Sequence, residues 1–423
     1  MSREILVFIN LAGVDHRVGT LWAHAGKGRE SATFEYAADW RASPLRFSLD
    51  PALAVGEGQF QTPAGRALFG AIGDSAPDTW GRALLRRREN HLAKAEKRAA
   101  RALLEVDFLL LVDDALRGGA LRFKEKADGA FSAHGGQVPP LLRLGDMLAA
   151  SDRVVAEQET SEDLRLLLEP GASLGGARPK ASVLDAEGRL HIAKFPKSGD
   201  PYDVPRWEEV VLRLAENAGI RVAKHRLENV AGRHVLLVQR FDRDDAGNRI
   251  PYLSAMSMLG AEDGQSRSYF EIVESLYEYG AEPERDTSEL WRRMVFNILV
   301  SNVDDHLRNH GFLHVGAEGW ELAPAFDLEI TPADIKNPVN HQTSILPGAV
   351  GDASVENALQ AAPDFLLSLE EARTVLQEVS TAVGGWRRVA QNVGLGSQEI
   401  DRMASAFGHG LPARADQDEG PRP

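Results

Sequence analysis

The chain has no cysteine among its 423 residues. That excludes disulfides, thiolate zinc sites and a cysteine nucleophile, and it fits a reducing, cytoplasmic setting. Long apolar runs are missing too: none approaches the ~18 residues that a membrane-spanning helix needs. Nor is there an excess of positive charge. A formal net charge of −14 argues against a chain whose main task is gripping phosphate backbones. The opening stretch MSREILVFINLAG carries Arg3 and Glu4 before a short apolar segment and shows no small-residue cleavage pattern. It reads as a first β-strand and not as a signal peptide. Internal repeats are absent as well.

What remains is the composition of an ordinary globular protein, with 43% hydrophobic and 26% charged residues, long enough for two or three buried cores. Short strand-like runs (Ile5 to Leu11, Val18 to Trp22, Thr33 to Tyr36) precede one basic stretch, Gly81 to Leu104. This stretch is expected to be a helix with a solvated charged face; the lesser reading is a surface for an acidic partner or for DNA met alongside a partner. Lys124 to Pro140 is rich in Gly, Ala and polar residues and reads as a linker. The expected divisions are an N-terminal subdomain over 1–125, a linker over 126–150, a mixed lobe over 151–250, a helical lobe over 251–410 and a disordered tail over 411–423.

Two hairpins bring polar groups together. In NHGFLHVGAEGWELAPAFDLEITP, alternation in Phe312 to Val315 and Trp320 to Leu322 flanks a Gly-bearing turn. A symmetry centre at Glu318 sets Asn309 opposite Asp327, where directly opposed Cα atoms lie roughly 4.5–5.5 Å apart. An amide oxygen and a carboxylate so placed suit one hard cation such as Mg²⁺, or they are turn residues ending two strands. The second hairpin turns at Asp185 to Gly188 and returns Lys194 towards Pro179, beside SLGGAR, Ser173 to Arg178. Glycines there allow close backbone approach to phosphate oxygens, and a strand lysine either supplies a point charge or lies on a solvated edge.

In the helix expected over Pro205 to Ile220, Trp207, Val210, Val211 and Leu214 form the apolar stripe. Glu208 flanks this stripe, where a lysine partner would help it, and Glu209 is expected to be solvated. Further on, Asp304, Asp305, His306, Asn309 and His310 crowd into one loop after an apolar helix in which Trp291, Met294, Val295, Ile298 and Leu299 are expected core. Adjacent carboxylates repel unless a positive group stands between them.

The order of these parts is that of a protein kinase: glycine loop, strand lysine, helix glutamate, an Asp five positions before an Asn, then a lone Asp. Over nearly its full length the chain resembles the HipA toxin kinases. The resemblance rests on SLGGARPK, HIAKFP, VQRFDR (Val238 to Arg243), NVDDHLRN and LAPAFDLEITP, and in the N-terminal half on FEYAADW and ALFGAIGDSAPDTWG. It implies an α+β, two-lobed kinase-like fold and an enzyme that uses ATP and Mg²⁺. It further implies that Asp304 accepts a substrate hydroxyl's proton, that Asn309 and Asp327 hold the metal, and that Lys194, supported by Glu208, meets the phosphates. Gly175, Gly176, Ala177, Arg178 and Lys180 would belong to the phosphate loop, and Gln239 and Phe241 would border the adenine. His306 would hydrogen-bond the catalytic loop's backbone or touch nucleotide, and Ser173 would be phosphorylated by the enzyme itself, silencing it.

The family's substrates are proteins, typically an aminoacyl-tRNA synthetase such as the glutamyl enzyme. A helix-turn-helix antitoxin, HipB, restrains these kinases on operator DNA. This chain departs from its relatives in three ways. Gln239 stands where many have an acid, two glycines follow Ser173 and Leu174, and Asn-Val-Asp and Asp-Leu-Glu replace the His-Arg-Asp and Asp-Phe-Gly of other kinases. Competing readings are a kinase acting on a small alcohol, a metal-dependent hydrolase built on Asp304, Asp305, His306 and His310, and an inert co-repressor.

Overall fold

The computed structural model describes residues 2–26, 28–132, 138–168, 176–265, 267–332, 341–348 and 353–407. Ser173 and Gly175, and the tail over 411–423, lie outside the described residues. The N-terminal part is built on β1 (Ser2–Leu11), β2 (Val14–Gly26), β3 (Arg29–Tyr36), β4 (Gln59–Gln61) and β5 (Leu121–Lys124), in the antiparallel order β4-β3-β2-β1-β5. Ala12 and Gly13, both at positive φ (49° and 81°), make the tight turn between β1 and β2. Ile5, Val7 and Ile9 of β1 alternate into the core, as a half-buried strand must.

Helix α1 (Thr79–Ala95) is capped by Asp78, whose side chain accepts from Gly81 N–H. Here the expected solvated basic face gives way to intramolecular pairing. Arg82 pairs with Glu105, Arg87 with Glu159, and Arg98 with a buried Glu89. Trp80 and Leu84 of the same helix enter a core shared with the next lobe.

That lobe begins with α2 (Leu144–Val155) and α3 (Ser161–Leu168). Then follow β6 (Lys180–Leu184), β7 (Leu190–Lys194), α4 (Val204–Asn217), β8 (His225–Val230) and β9 (Arg233–Gln239), with the sheet ordered β6-β7-β9-β8. Strand alternation gives the sheet two apolar faces. Val235 and Leu237 join α1, α2 and α3, whereas Leu236 and Val238 join Trp207, Val210, Val211 and Leu214 of α4. Glu209, expected in solvent, is 1% exposed. Its carboxylate accepts from Arg213 at 2.7 Å and meets His225 Nδ1 of β8 at 2.8 Å, because β8 folds over the helix face opposite the stripe.

The helical lobe contains β10 (Tyr252–Ser254), β11 (Arg267–Ser268), α5 (Tyr269–Tyr279), α6 (Pro283–Leu299), β12 (Gly311–His314), β13 (Trp320–Leu322), β14 (Thr343–Ser344) and α7 (Leu369–Gly384). A capping box between Ser268 and Glu271 opens α5. Trp291, Met294, Val295, Ile298 and Leu299 of α6 are all core. The β12–β13 register pairs Phe312 with Leu322 and His314 with Trp320, so each partner lies two residues from the place that symmetry about Glu318 gives it. Gly319, at φ 114°, lets the turn close with Val315 N–H on the Gly319 carbonyl, which shifts the centre by one residue. After Ala323 N–H bonds Gly311 the two chains part, and Ala325 N–H goes to Arg221 instead. Asn309 and Asp327 are therefore not a strand pair. Among the described residues no helix is long and apolar enough to cross a membrane.

Further contacts tie the N-terminal part to the lobes at the connector and at β12. In the connector after β9, Arg240 donates to the Leu116 carbonyl at 2.5 Å and pairs with Asp242, which accepts from Gly119 N–H at 2.7 Å. On the other lobe Phe47 stacks on His314 (centroids 3.7 Å apart, 18° between planes), with Trp320 edge-on. Burial pushes the His314 imidazole down to about 4, so the folded chain keeps this ring neutral. The stability that depends on it is complete above the ordinary value of 6.5 and is lost as pH falls towards 4, on the order of 3 kcal/mol. His314→Phe preserves the stack and is expected to remove that share of acid sensitivity, as read by denaturant titrations between pH 4 and 7.

Candidate active site

Lys194 ends β7, and alternation decides where it points. Ala193 and Phe195 face α1, α2 and α3, so Lys194 faces α4. There its ammonium donates to Glu208 Oε1 and, at 2.5 Å, to Asp327 Oδ1. Glu208 projects from α4 beside Trp207 and is 5% exposed, so its charge depends on this partner. Burial pushes the Glu208 carboxyl up, and Lys194 opposes that rise. For Asp327 burial also disfavours the charge, but Lys194 and then Lys180 outweigh it and hold the carboxyl down at about 2. Asp327 has φ 56°, a left-handed conformation that costs a non-glycine residue energy and that Asp tolerates better than most. Two residues on, burial together with Asp327 and Glu208 pushes Glu329 up to about 7.

The loop after α6 supplies the opposite wall. Asp304 accepts from Gln342 Nε2 at 2.7 Å, and its charge acts on Glu329. Asn309 donates its Nδ2 to the Asp304 carbonyl at 3.3 Å, leaving Oδ1 buried with no hydrogen-bond partner among the described residues. His306 acts electrostatically on Asp327, and its Nδ1 is likewise buried without a partner. The backbone hydrogen bond expected of its imidazole is not made at that nitrogen. Asp305 and His310 belong elsewhere: Asp305 Oδ2 receives Tyr269 Oη–H at 2.5 Å and stands 3.1 Å from His310 Nε2. Burial raises the Asp305 carboxyl, but His310 and Tyr269 more than reverse this. Two of the four groups of the hydrolase reading are thus committed to each other inside the lobe.

On the β6 side, Gly176 has φ 85°, and a Cβ there would come within 3.0 Å of Lys180 Nζ and 3.9 Å of Asp327 Oδ2. Ala177 is exposed, and Arg178 is turned onto Asp200 at 2.5 Å. Gln239 and Phe241 line a cavity of about 40 Å³ with Ile192, Leu212, Val238 and Phe326, and Lys194 and Glu208 are part of its wall. Gln239 N–H is taken by the Lys224 carbonyl at 2.7 Å. Phe241 and Phe326 face each other with ring centroids 5.3 Å apart. Three residues that sequence reasoning did not place here are Asp78, Glu329 and Gln342. For Asp78 a signal existed, since Asp just before a helix is an N-cap pattern.

The donor set suits a hard divalent cation. Asp327 offers a carboxylate and Asn309 an amide oxygen without a hydrogen-bond partner among the described residues, and the nitrogen beside them is the Nδ1 of His306. With no metal, Lys194 is the cation that balances Asp327 and Glu208. Lys194→Met therefore leaves two buried carboxylates unmatched, at a cost of about 3–5 kcal/mol. Their folded-state pKa values rise in that variant, so stability is kept at low pH and lost as pH rises. Chemical denaturation is expected to show a larger deficit at pH 8 than at pH 5.

Comparison with known proteins gives a consistent picture. Residues 172–386, just over half of the chain, match the HipA-like C-terminal domain as a family. Over 182 residues the chain is 30% identical to the "Putative kinase Y4mE" of Sinorhizobium fredii, covering 38% of this chain and 43% of that protein. Over 181 residues it is 23% identical to a "Putative kinase" of Haemophilus influenzae, covering 37% and 52%. The chain thus spans about half the length of the curated relatives it matches. Among solved structures, the HipA of Shewanella oneidensis MR-1, determined with HipB and operator DNA, superposes with a TM-score of 0.64 at 17% identity over 95% of both chains. At that identity the likeness is one of fold: α+β and two-lobed, as the sequence implied.

Proposed function

The chain belongs to the HipA-like C-terminal domain family, and from that premise we propose that it is an ATP- and Mg²⁺-dependent serine/threonine protein kinase of a toxin–antitoxin system. The observation that carries this reading is Lys194, buried between Glu208 and Asp327, while the oxygen of Asn309 has no hydrogen-bond partner among the described residues. A lysine, a helix glutamate and an Asp–Asn oxygen pair are the parts that kinases use to hold a metal-bound triphosphate.

In the proposed reaction a protein hydroxyl oxygen bonds to the γ-phosphorus as the bond from that phosphorus to the β-bridging oxygen breaks. ADP leaves, and the hydroxyl proton passes to the Asp304 carboxylate. Asn309 and Asp327 would hold Mg²⁺, which supplies neutralising charge to the phosphate oxygens. Lys194 places its ammonium against the phosphates, and Glu208 keeps the side chain extended. The base would enter the slot lined by Gln239 and Phe241. At about 40 Å³ this slot holds a few waters at most, so a purine requires Phe241 and Phe326 to separate.

The remaining parts of the proposal rest on the family. They are an aminoacyl-tRNA synthetase as substrate, a HipB-like helix-turn-helix antitoxin as partner, operator DNA met mainly through that antitoxin, a cytoplasmic location, and self-phosphorylation at Ser173. The fold match to a HipA determined with HipB and operator DNA supports the choice of partner.

Incubation with ATP, Mg²⁺ and a panel of aminoacyl-tRNA synthetases, read by mass spectrometry, is expected to show a phosphorylated Ser or Thr on one of them and on Ser173. Transfer only to small alcohols would move the reading to a small-molecule kinase. Asp304→Asn is expected to lower transfer by roughly two to four decades while ATP still binds. Asp327→Ala is expected to weaken Mg–ATP binding itself, as read by calorimetric titration. Unchanged turnover in the first variant, or unchanged affinity in the second, would remove that residue from its role.

A further inference from the structure

Lys180 stands directly opposite Lys194 in the β6–β7 register. Like charges so paired destabilise a sheet unless each has its own counter-ion. Lys194 has Glu208 and Asp327. The partner of Lys180 comes from the N-terminal part: its Nζ lies 2.9 Å from Asp78 Oδ2, with both side chains 5% exposed. Burial pushes the Asp78 carboxyl up, and Lys180 is the main charge opposing that. Asp78 is fixed in turn, because it caps α1 by accepting from Gly81 N–H at 2.7 Å. Two residues later the Trp80 indole donates to the Lys180 carbonyl at 3.0 Å, and Trp80 N–H reaches the Gly176 carbonyl at 3.4 Å. The start of α1 therefore grips both ends of the segment from Gly176 to Lys180.

The Lys180 ammonium lies under Gly176, where a single added Cβ would meet both it and Asp327 Oδ2. Lys180 also ranks next to Lys194 among the charges that hold Asp327 ionised. One lysine thus stands between a carboxylate that does no chemistry and one that the kinase reading assigns to the metal. Without Asp78, the nearest remaining way to balance a buried ammonium is to turn to Asp327.

We infer that Asp78 is a positioning residue for nucleotide binding: from the N-terminal part it holds Lys180 beneath Gly176 and keeps it off Asp327, so that Asp327 stays open to a divalent cation. This inference rests on the kinase reading of the site. Asp78 touches neither nucleotide nor metal, so its effect passes wholly through Lys180.

The test is calorimetric titration of the full chain with the non-hydrolysable analogue adenylyl imidodiphosphate over a series of Mg²⁺ concentrations. Asp78→Asn is expected to raise the Mg²⁺ midpoint tenfold or more. The double variant Asp78→Asn/Lys180→Gln, which removes the competing ammonium as well, is expected to return it to within threefold of the midpoint of Lys180→Gln alone. A purely structural role would lower the melting temperature and leave the Mg²⁺ midpoint in place. An unmoved midpoint in Asp78→Asn, or no recovery in the double variant, overturns the inference. If Asp78→Asn does not fold, Trp80→Phe decides: it keeps a ring in the core, loses the bond to the Lys180 carbonyl, and is expected to raise the midpoint at least threefold, no shift counting against the inference. Failure of the wild type to bind the analogue at any Mg²⁺ concentration would instead overturn the kinase reading itself.

Discussion

The Lys194 ammonium lies between two buried carboxylates, and the rest of the cleft is arranged around keeping that charge matched. Asp78, Glu208, Asp304, Asp327 and Glu329 act on one another there, against the ammoniums of Lys180 and Lys194. The Arg178 guanidinium, which acts on Glu208, is engaged by Asp200. Under the proposed kinase reading, so negative a cleft would admit a triphosphate only together with a divalent cation. Glu329 eases the imbalance in part, since a carboxyl pushed up to about 7 is partly protonated at neutral pH. The same balance explains why Glu208 sits on the flank of the α4 stripe. A position one step away would put it either in the apolar core or on the face that β8 covers.

What the sequence made legible is what local pattern controls. Hairpin turns, the α4 stripe, the core of α6 and the five-residue spacing from Asp304 to Asn309 depend on neighbours a few positions apart. The hairpins, the α4 stripe and the core of α6 are present as elements, and Lys194 and Glu208 do meet. What was not legible depends on distant chain. Glu209 looks solvated on a helical wheel, yet His225 from β8 buries it. The basic stretch looks like a charged surface, yet Glu105 and Glu159 neutralise part of it. The β12–β13 pairing is centred one residue before Glu318, a shift of two residues in register, because Gly319, at positive φ, makes a turn that simple symmetry does not anticipate. The contact of Trp80 with Lys180 joins residues 100 positions apart, and no periodicity reports on such a pair.

The connector between the lobes shows how the N-terminal part is tied to the cleft at a second place. Arg240, Asp242 and Arg243 carry their charges inside the protein, and the carbonyls and amide that satisfy them belong to residues 116–119. Asp242 is held well below the usual carboxylate range because Arg240 and Arg243 outweigh its burial. A connector built this way resists bending, since any hinge motion there would strip partners from buried charges. The N-terminal part therefore braces the active cleft from the connector and from the Asp78–Lys180 pair. It is a structural member of the folded unit, not an appendage to it.

The adjacent acids of the loop after α6 are kept apart by the surroundings of the second. Asp305 is 2% exposed and turned inward, where Tyr269 and His310 bond it. Asn297 donates to Tyr269, and Asn302 donates to Asn297, so the network runs back into α6. Thr343 fixes the Asp305 carbonyl from β14 through both its N–H and its hydroxyl. With Asp305 anchored on the inner side, the residue before it is directed the other way, and Asp304 meets the cleft and Gln342. Two neighbouring carboxylates would repel if they shared one environment. Here the charge of one is satisfied in the interior by donors while the other faces the cleft, where it acts on Glu329. The repulsion that the sequence seemed to require is avoided by sending the two carboxylates in opposite directions, and the rigid one gives the other its aim.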